Sequence, residues 1–224
     1  MSRQLFIGLA VEGNTDRRFL KSVVLRTFKR ILFDECDQDV DVEVFPLNTS
    51  KIGRGFREFV AAASHDGVHS YGILVLAVHA DSDKETLDER MEDKFIPAQE
   101  FLESLSDDEY CKILTPVIPM KMLEAWLLAD TGLLREEIGT EKSDSELGLA
   151  RNPESIADPK NVIQEAIRLA HSDLPKKRRT LSINDLYDIL GDEMDLESLD
   201  RLSSYRTFVS KAREALIELH YLHA

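Results

Sequence analysis

The sequence predicts an α/β protein: a mostly parallel sheet flanked by helices, followed by a helical extension toward the C-terminus. Three observations predict it. Short apolar runs alternate with longer amphipathic stretches through the first ~130 residues, the texture of strands crossing over through helices. Two of those runs lead into carboxylates and turn residues, the one ending at Val11 directly at Glu12 and the one ending at Val78 within three residues, at Asp81. After Pro119 the strand-like runs cease and helical periodicity takes over.

In chain order, strands are expected near residues 4–11, 41–46, 71–79 and 111–118. Asn14 or Thr15 can cap a first helix reaching about Phe33, with Val23, Val24, Phe28 and Ile31 spaced to face a core. A shorter helix is expected over 55–64 and a longer one over 84–105, in which Pro97 forces a kink or a break. Residues 120–134, rich in Leu and Ala and containing Trp126, read as one helix. The polar stretch from Glu136 to Asp158 reads as the least ordered part, because Glu, Ser, Asp and Gly dominate it. Helices follow over 159–170, 183–190 and 205–222. The organisation expected is an α/β core over 1–135 with a helical extension over 136–224 packed on or beside it.

The 224 residues are 43% apolar, enough for an ordinary buried core. No run approaches the roughly 20 apolar residues of a membrane span, and the first is interrupted by Glu12 before it could serve as a signal segment. No membrane association and a cytoplasmic location are therefore expected, with Cys36 and Cys111 as free thiols. With 28 basic against 42 acidic residues the chain repels polyanions at long range, which counts against binding nucleic acid by net charge. Local binding stays open through Arg17, Arg18, Lys21, Arg26, Lys29 and Arg30, and through the run Lys176-Lys177-Arg178-Arg179, although a solvated surface explains both equally well.

The chemistry concentrates at the two strand ends. Ligands of open α/β sheets collect at the carboxyl ends of strands, so Glu12 after the first strand and Asp81 and Asp83 after another can converge on one divalent cation. Hard oxygen donors of this kind suit Mg²⁺ or Mn²⁺. Asp16 and His79 form a second tier, with the pair His79/Asp81 open as an alternative to Asp81/Asp83. The structural alternative is that Glu12 and Asp16 favour a helix N-terminus while Asp81 and Asp83 make turn hydrogen bonds. Glu124 lies in an otherwise apolar stretch, where an unpartnered charge is costly. It either pairs with Lys121 or Lys112 or reaches the metal site. Asp158-Pro159-Lys160 reads as a helix entry that leaves Lys160 free for phosphate, and Arg206 is a further phosphate candidate. Lys51-Ile52-Gly53-Arg54-Gly55 lacks the Lys-Ser/Thr ending of a phosphate loop and reads as a flexible connection. No Ser-based nucleophile elbow occurs.

Glu12-Gly13-x-Thr15-Asp16 followed by Asp81-x-Asp83 after a hydrophobic strand resembles the Toprim-like nucleases. Pro119-x-x-x-x-Glu124-Ala125-Trp126-Leu127-Leu128-Ala129-Asp130 and Asp158-Pro159-Lys160 are similar to bacterial Toprim-related proteins of the DUF4276 type. The resemblance implies a Toprim/Rossmann-like fold and metal-dependent phosphodiester hydrolysis of DNA or RNA. Glu12, Asp81, Asp83 and Glu124 would be its catalytic residues, Glu12, Asp81 and Asp83 the Mg or Mn ligands, and Lys160 an auxiliary group. It also implies an ATPase partner and a role in defence against phage. One alternative is a non-catalytic protein-interaction subunit on the same scaffold. Another is a phosphatase of the haloacid-dehalogenase type, which needs an Asp where this chain has Glu12.

Overall fold

The computed structural model describes residues 3–83, 86–172, 175 and 180–223. The predicted helix residue Lys84 and the basic run Lys176 to Arg179 lie outside them. Four strands, β1 (Arg3–Ala10), β2 (Val40–Pro46), β3 (Val75–His79) and β4 (Leu114–Val117), form one all-parallel sheet in the order β2-β1-β3-β4. β1 and β3, the inner strands, are almost wholly buried, which is why each reads as a near-continuous apolar run.

Alternation along the strands divides the core between two faces. Leu5, Ile7 and Leu9 of β1 with Val75 and Ala77 of β3 pack against α1 (Asn14–Glu35). Leu76 and Val78 of β3 point the other way, onto α2 (Phe56–Tyr71) and α4 (Ile96–Glu103). On the α1 face the same core continues through Trp126, Tyr187, Leu190, Tyr205 and Phe208, so the C-terminal helices and the sheet share one apolar interior. These helices are α5 (Glu124–Leu127), α6 (Thr131–Ile138), α7 (Asp144–Leu147), α8 (Pro159–Ala170), α9 (Tyr187–Glu193), α10 (Leu196–Leu199) and α11 (Ser203–Glu218). No described helix is long and apolar enough to cross a membrane. Cys36 and Cys111 are free thiols, the latter buried and pushed up to about 12 by desolvation.

The structure corrects several expected boundaries. β3 begins at Val75 because Tyr71 ends α2 and Gly72, at φ 63°, supplies its left-handed cap. Gly13, not Asn14 or Thr15, is the N-cap of α1, and no side chain bonds there. Pro97 breaks its helix as expected. α3 (Leu87–Arg90) runs into a π-helical turn, Met91–Phe95, that absorbs the lost bond ahead of the proline. The single helix expected over 120–134 is instead a turn, the short α5 and then α6, which Asp130 starts afresh by accepting from the Leu133 N–H at 3.0 Å. α8 spans Pro159–Ala170 with Asp158 as its cap, as the sequence predicts. α11 ends at Glu218, short of Leu222.

The stretch 136–158 is ordered, against expectation. Ser143 and Glu146 form a capping box on α7, and Leu147, Leu149 and Ile156 are buried. Glu154 then caps α11 from a distance in sequence. Its carboxylate accepts from the Ser203 N–H (2.9 Å), the Ser203 hydroxyl (2.8 Å) and the Ser204 N–H (2.8 Å), satisfying amides that Leu202, the formal cap, cannot. Burial pushes the Glu154 carboxyl up, but these serine hydrogen bonds outweigh it and hold the carboxyl below its ordinary range. Its contribution to stability is therefore present above the ordinary carboxylate pKa and is lost as pH falls through the depressed folded value. Glu154→Gln is expected to cost about 1–2 kcal/mol near neutral pH. Urea titrations should show that gap closing as pH falls through the depressed folded value, and a gap unchanged in acid would reject the ionised cap.

The basic segment of α1 joins the two parts of the chain. Arg18 bonds Asp188 (2.7 Å) and the Asn184 carbonyl (2.7 Å), Arg26 the Gly191 carbonyl (3.1 Å), and Arg30 makes a two-pronged pair with Asp200 at 2.8 Å per contact. Arg17 holds Asn48 and the Leu47 carbonyl. Lys21 and Lys29 alone of the six are exposed. Arg206, the other phosphate candidate, donates to the Asp200 carbonyl at 2.8 Å.

Candidate functional site

After β1 the chain leaves for β2 on one side, and β3 is then laid down on the other. The carboxyl ends of β1 and β3 thus flank the switch in strand order, where parallel sheets open a crevice. A cleft of about 350 Å³ stands there, lined by Glu12, Asp16, His79, Asp81 and Asp83 together with the cations Lys51, Arg54, Arg90 and Lys94. The five chemistry-bearing residues expected at the two strand ends are therefore brought to one place.

Each reaches it for a local reason. Glu12 lies in the turn between β1 and α1, and Asp16 sits in the first turn of α1, where a carboxylate favours the positive helix end. His79 ends β3. The loop beyond it is fastened to the segment after β4: Ala80 N–H donates to the Val117 carbonyl, Ser82 N–H to the Pro119 carbonyl and Asp83 N–H to the Lys121 carbonyl, each at 3.0–3.1 Å. The Lys121 N–H in turn donates to the buried Ser82 hydroxyl at 2.8 Å. Asp83 (φ 54°) and Lys121 (φ 65°) are both left-handed, a conformation costly to side chains with a Cβ and held here by these cross-bonds.

His79 is the centre of the arrangement. It is 2% exposed, its Nε2 lies 3.1 Å from Asp81 Oδ1, and its Nδ1 faces Asp16 Oδ2 at 3.7 Å without a hydrogen-bond partner. Burial pushes the imidazole down. The Asp81 hydrogen bond and the charges of Asp81, Asp16 and Glu12 outweigh that, so its pKa is raised. Of the two registers left open by the sequence, the His79/Asp81 pair is the one in direct contact; Asp83 turns to Arg90, at 2.8 Å. Glu12 is ion-paired with Lys51.

Glu124 stands apart from this lining. Its partners are neither Lys121 nor Lys112: Tyr187 donates to Glu124 Oε1 at 2.6 Å and Lys160 Nζ approaches the same oxygen at 3.4 Å. Glu124, Tyr187 and Lys160 do not line the cleft, but Tyr187 also feels Thr15 and Asp16 of the α1 turn, so the two groups adjoin. Burial, the Glu124 hydrogen bond and the nearby carboxylate charges all push the Tyr187 phenol far above its ordinary value. Lys51, Arg54 and Tyr187 escape a sequence reading because each arrives on an element remote from the carboxylates, and Arg90 and Lys94, though they follow Asp83 closely, because nothing in the local pattern turns them back toward the strand end. Only the adjacency of Lys51 and Arg54 to Gly55 offered a signal.

Among the described residues, no three His, Cys, Asp or Glu side chains stand close enough to hold a metal ion as they are disposed. The donor set nevertheless suits a hard cation. Mg²⁺ commonly takes one or two carboxylates and completes its shell with water and substrate phosphate. The Lys51 ammonium on Glu12 marks that carboxylate as a place where positive charge is held. No family model, no curated protein and no solved structure matches the chain.

Proposed function

We propose that the chain is a divalent-metal-dependent phosphodiesterase acting on nucleic acid, a nuclease of Toprim type. The observation that carries this reading is the convergence of Glu12, Asp16 and Asp81 about buried His79 in a cleft at the sheet's switch in strand order. Glu12 and Asp81 would hold Mg²⁺ or Mn²⁺, with Asp16 beside them. The ion, when bound, polarises a phosphoryl oxygen and makes its water more acidic. His79 orients Asp81 through Nε2, the supporting bond that fixes a ligand's direction. Arg90 keeps the Asp83 carboxylate turned toward itself and Lys94 adds positive charge to the same wall. Glu124 supports the site from behind through Tyr187. The excess of acidic residues disfavours unaided capture of nucleic acid and fits delivery by a partner; an ATPase as that partner and phage defence as the setting are what the Toprim-like resemblance implies.

Calorimetric titration of Mn²⁺ into the wild type, Glu12→Ala and Asp81→Ala, each checked by circular dichroism, tests the site. Heat of binding in the wild type and its loss in both variants is the expected result. Equal binding in all three would remove these carboxylates from the site.

A second reading is a protein-interaction subunit that retains the scaffold. The pairing of Glu12 with Lys51 and of Asp83 with Arg90 favours it, since charges neutralised internally need no cation. Such a protein binds no Mn²⁺ and keeps its biological role when Glu12 is replaced.

A further inference from the structure

The segment Lys51 to Gly55 carries no phosphate-loop motif, yet it forms one wall of the cleft. The hydrogen bonds of its tip are internal: Ile52 N–H to the Ser50 hydroxyl (3.2 Å), Arg54 N–H to the Lys51 carbonyl (3.0 Å) and Arg54 Nη1 to the Ser50 carbonyl (2.5 Å). Ile52 is 92% exposed and anchors nothing. Among the described residues, the ion pair from Lys51 Nζ to Glu12 Oε1 is what ties this tip to the body of the protein. The same cleft holds buried His79, whose Nδ1 makes no hydrogen bond and faces the Asp16 carboxylate at 3.7 Å.

We infer that Lys51 exchanges partners: it neutralises Glu12 until a divalent cation takes that carboxylate, and then, with Arg54, receives a phosphodiester phosphate of the nucleic-acid backbone. This rests on the phosphodiesterase reading of the cleft. Glu12 cannot present its carboxylate fully to both Lys51 and a divalent ion, and the ion carries the higher charge. The displaced ammonium stays in the cleft on a flexible four-carbon stem, able to reorient toward a new anion. Arg54 is exposed at the same wall, with a planar fork suited to phosphate oxygens. Metal and backbone phosphate then help each other bind, because each removes the competitor that holds the other's partner, and such coupling is reciprocal.

Lys51→Met separates the two halves of the exchange by giving them opposite signs. Mn²⁺ titrated into the folded variant alone should bind about fivefold more tightly than to the wild type, the scale set by losing one exposed ion pair. Fluorescein-labelled single-stranded DNA and RNA of one sequence, titrated by anisotropy in Ca²⁺, should bind more weakly. The slope of log affinity against log salt should fall by about 0.7, one phosphate contact on a single strand. Loss in both arms identifies backbone phosphate as the shared ligand, and loss in one arm identifies which nucleic acid Lys51 meets. Mn²⁺ affinity unchanged or weakened in Lys51→Met overturns the exchange even if the wild type binds Mn²⁺ through Glu12 and Asp81. Tighter Mn²⁺ with unchanged binding of both oligonucleotides overturns the phosphate half. Absence of Mn²⁺ binding in wild type and variant alike overturns the phosphodiesterase reading together with the exchange.

Discussion

Asp81→Asn is expected to lower metal-dependent cleavage of nucleic acid by at least about a hundredfold while leaving the fold intact. The substitution removes a charge and keeps a shape. An amide oxygen can still accept from His79 Nε2, so the 3.1 Å contact that positions residue 81 survives. What disappears is half the carboxylate pair, Glu12 and Asp81, assigned to the cation. Stability should change little, because the Asp81 side chain is about a third exposed and lies beyond the end of β3 rather than in the core. The decisive comparison is cleavage of labelled DNA and RNA in Mn²⁺ by wild type and variant, alongside their thermal melts. Undiminished cleavage at an unchanged melting temperature would falsify the assignment of Asp81 as a ligand. Lost cleavage with a collapsed melt would assign it a structural role instead.

Why Asp81 was visible in the sequence and Lys51 was not has a physical cause. Inner strands of a parallel sheet are buried on both faces, so β1 and β3 announce themselves as apolar runs, and the first polar residues beyond them mark the carboxyl edge. Glu12, His79, Asp81 and Asp83 are legible on that ground alone. The residues that face them across the cleft come from the β2–α2 connection and from the helical segment after β3, and no local pattern links those to a strand end. Apolar density is also ambiguous about shape. Residues 123–128 and Leu134 are buried in the core shared with the C-terminal helices, and burial alone does not distinguish one helix from a turn and two short ones. The stretch 136–158 misled in the opposite direction. Several of its polar residues are used as caps and its large apolar ones, Ile138, Leu147, Leu149 and Ile156, are all buried, an economy that composition cannot display. Likewise the arginines of α1 look like a basic surface until Asp188 and Asp200, some 170 residues away, are seen opposite them.

That union of α1 with the C-terminal helices yields the second large effect. In an exposed helix, replacing Gly by Ala gains up to about 1 kcal/mol, because alanine loses less backbone freedom. Gly191 lies within α9 and should show the opposite sign. A Cβ built there stands 2.7 Å from the Phe19 carbonyl oxygen, closer than real Cβ atoms come, and 3.0 Å from the Phe19 Cα, tighter than most. Both obstacles are backbone of α1, which cannot swing aside as a side-chain tip would. Relief requires α9 to move off α1, loosening the bond from Arg26 to the Gly191 carbonyl and the packing of Tyr187 and Leu190 against Phe19 and Leu20. Gly191→Ala is therefore expected to destabilise the protein by about 2–3 kcal/mol, the range of an overpacked core, despite the gain in helix propensity. Urea unfolding of the two proteins measures it, and a neutral or stabilised variant would show that the α1–α9 contact is not close in solution. The displacement also reaches the site: Tyr187, which holds Glu124, opens the same helix, so weaker Mn²⁺-dependent cleavage should accompany the loss of stability. A destabilised variant with cleavage unchanged in the cold would detach Glu124 and Tyr187 from the chemistry and leave them as part of the core.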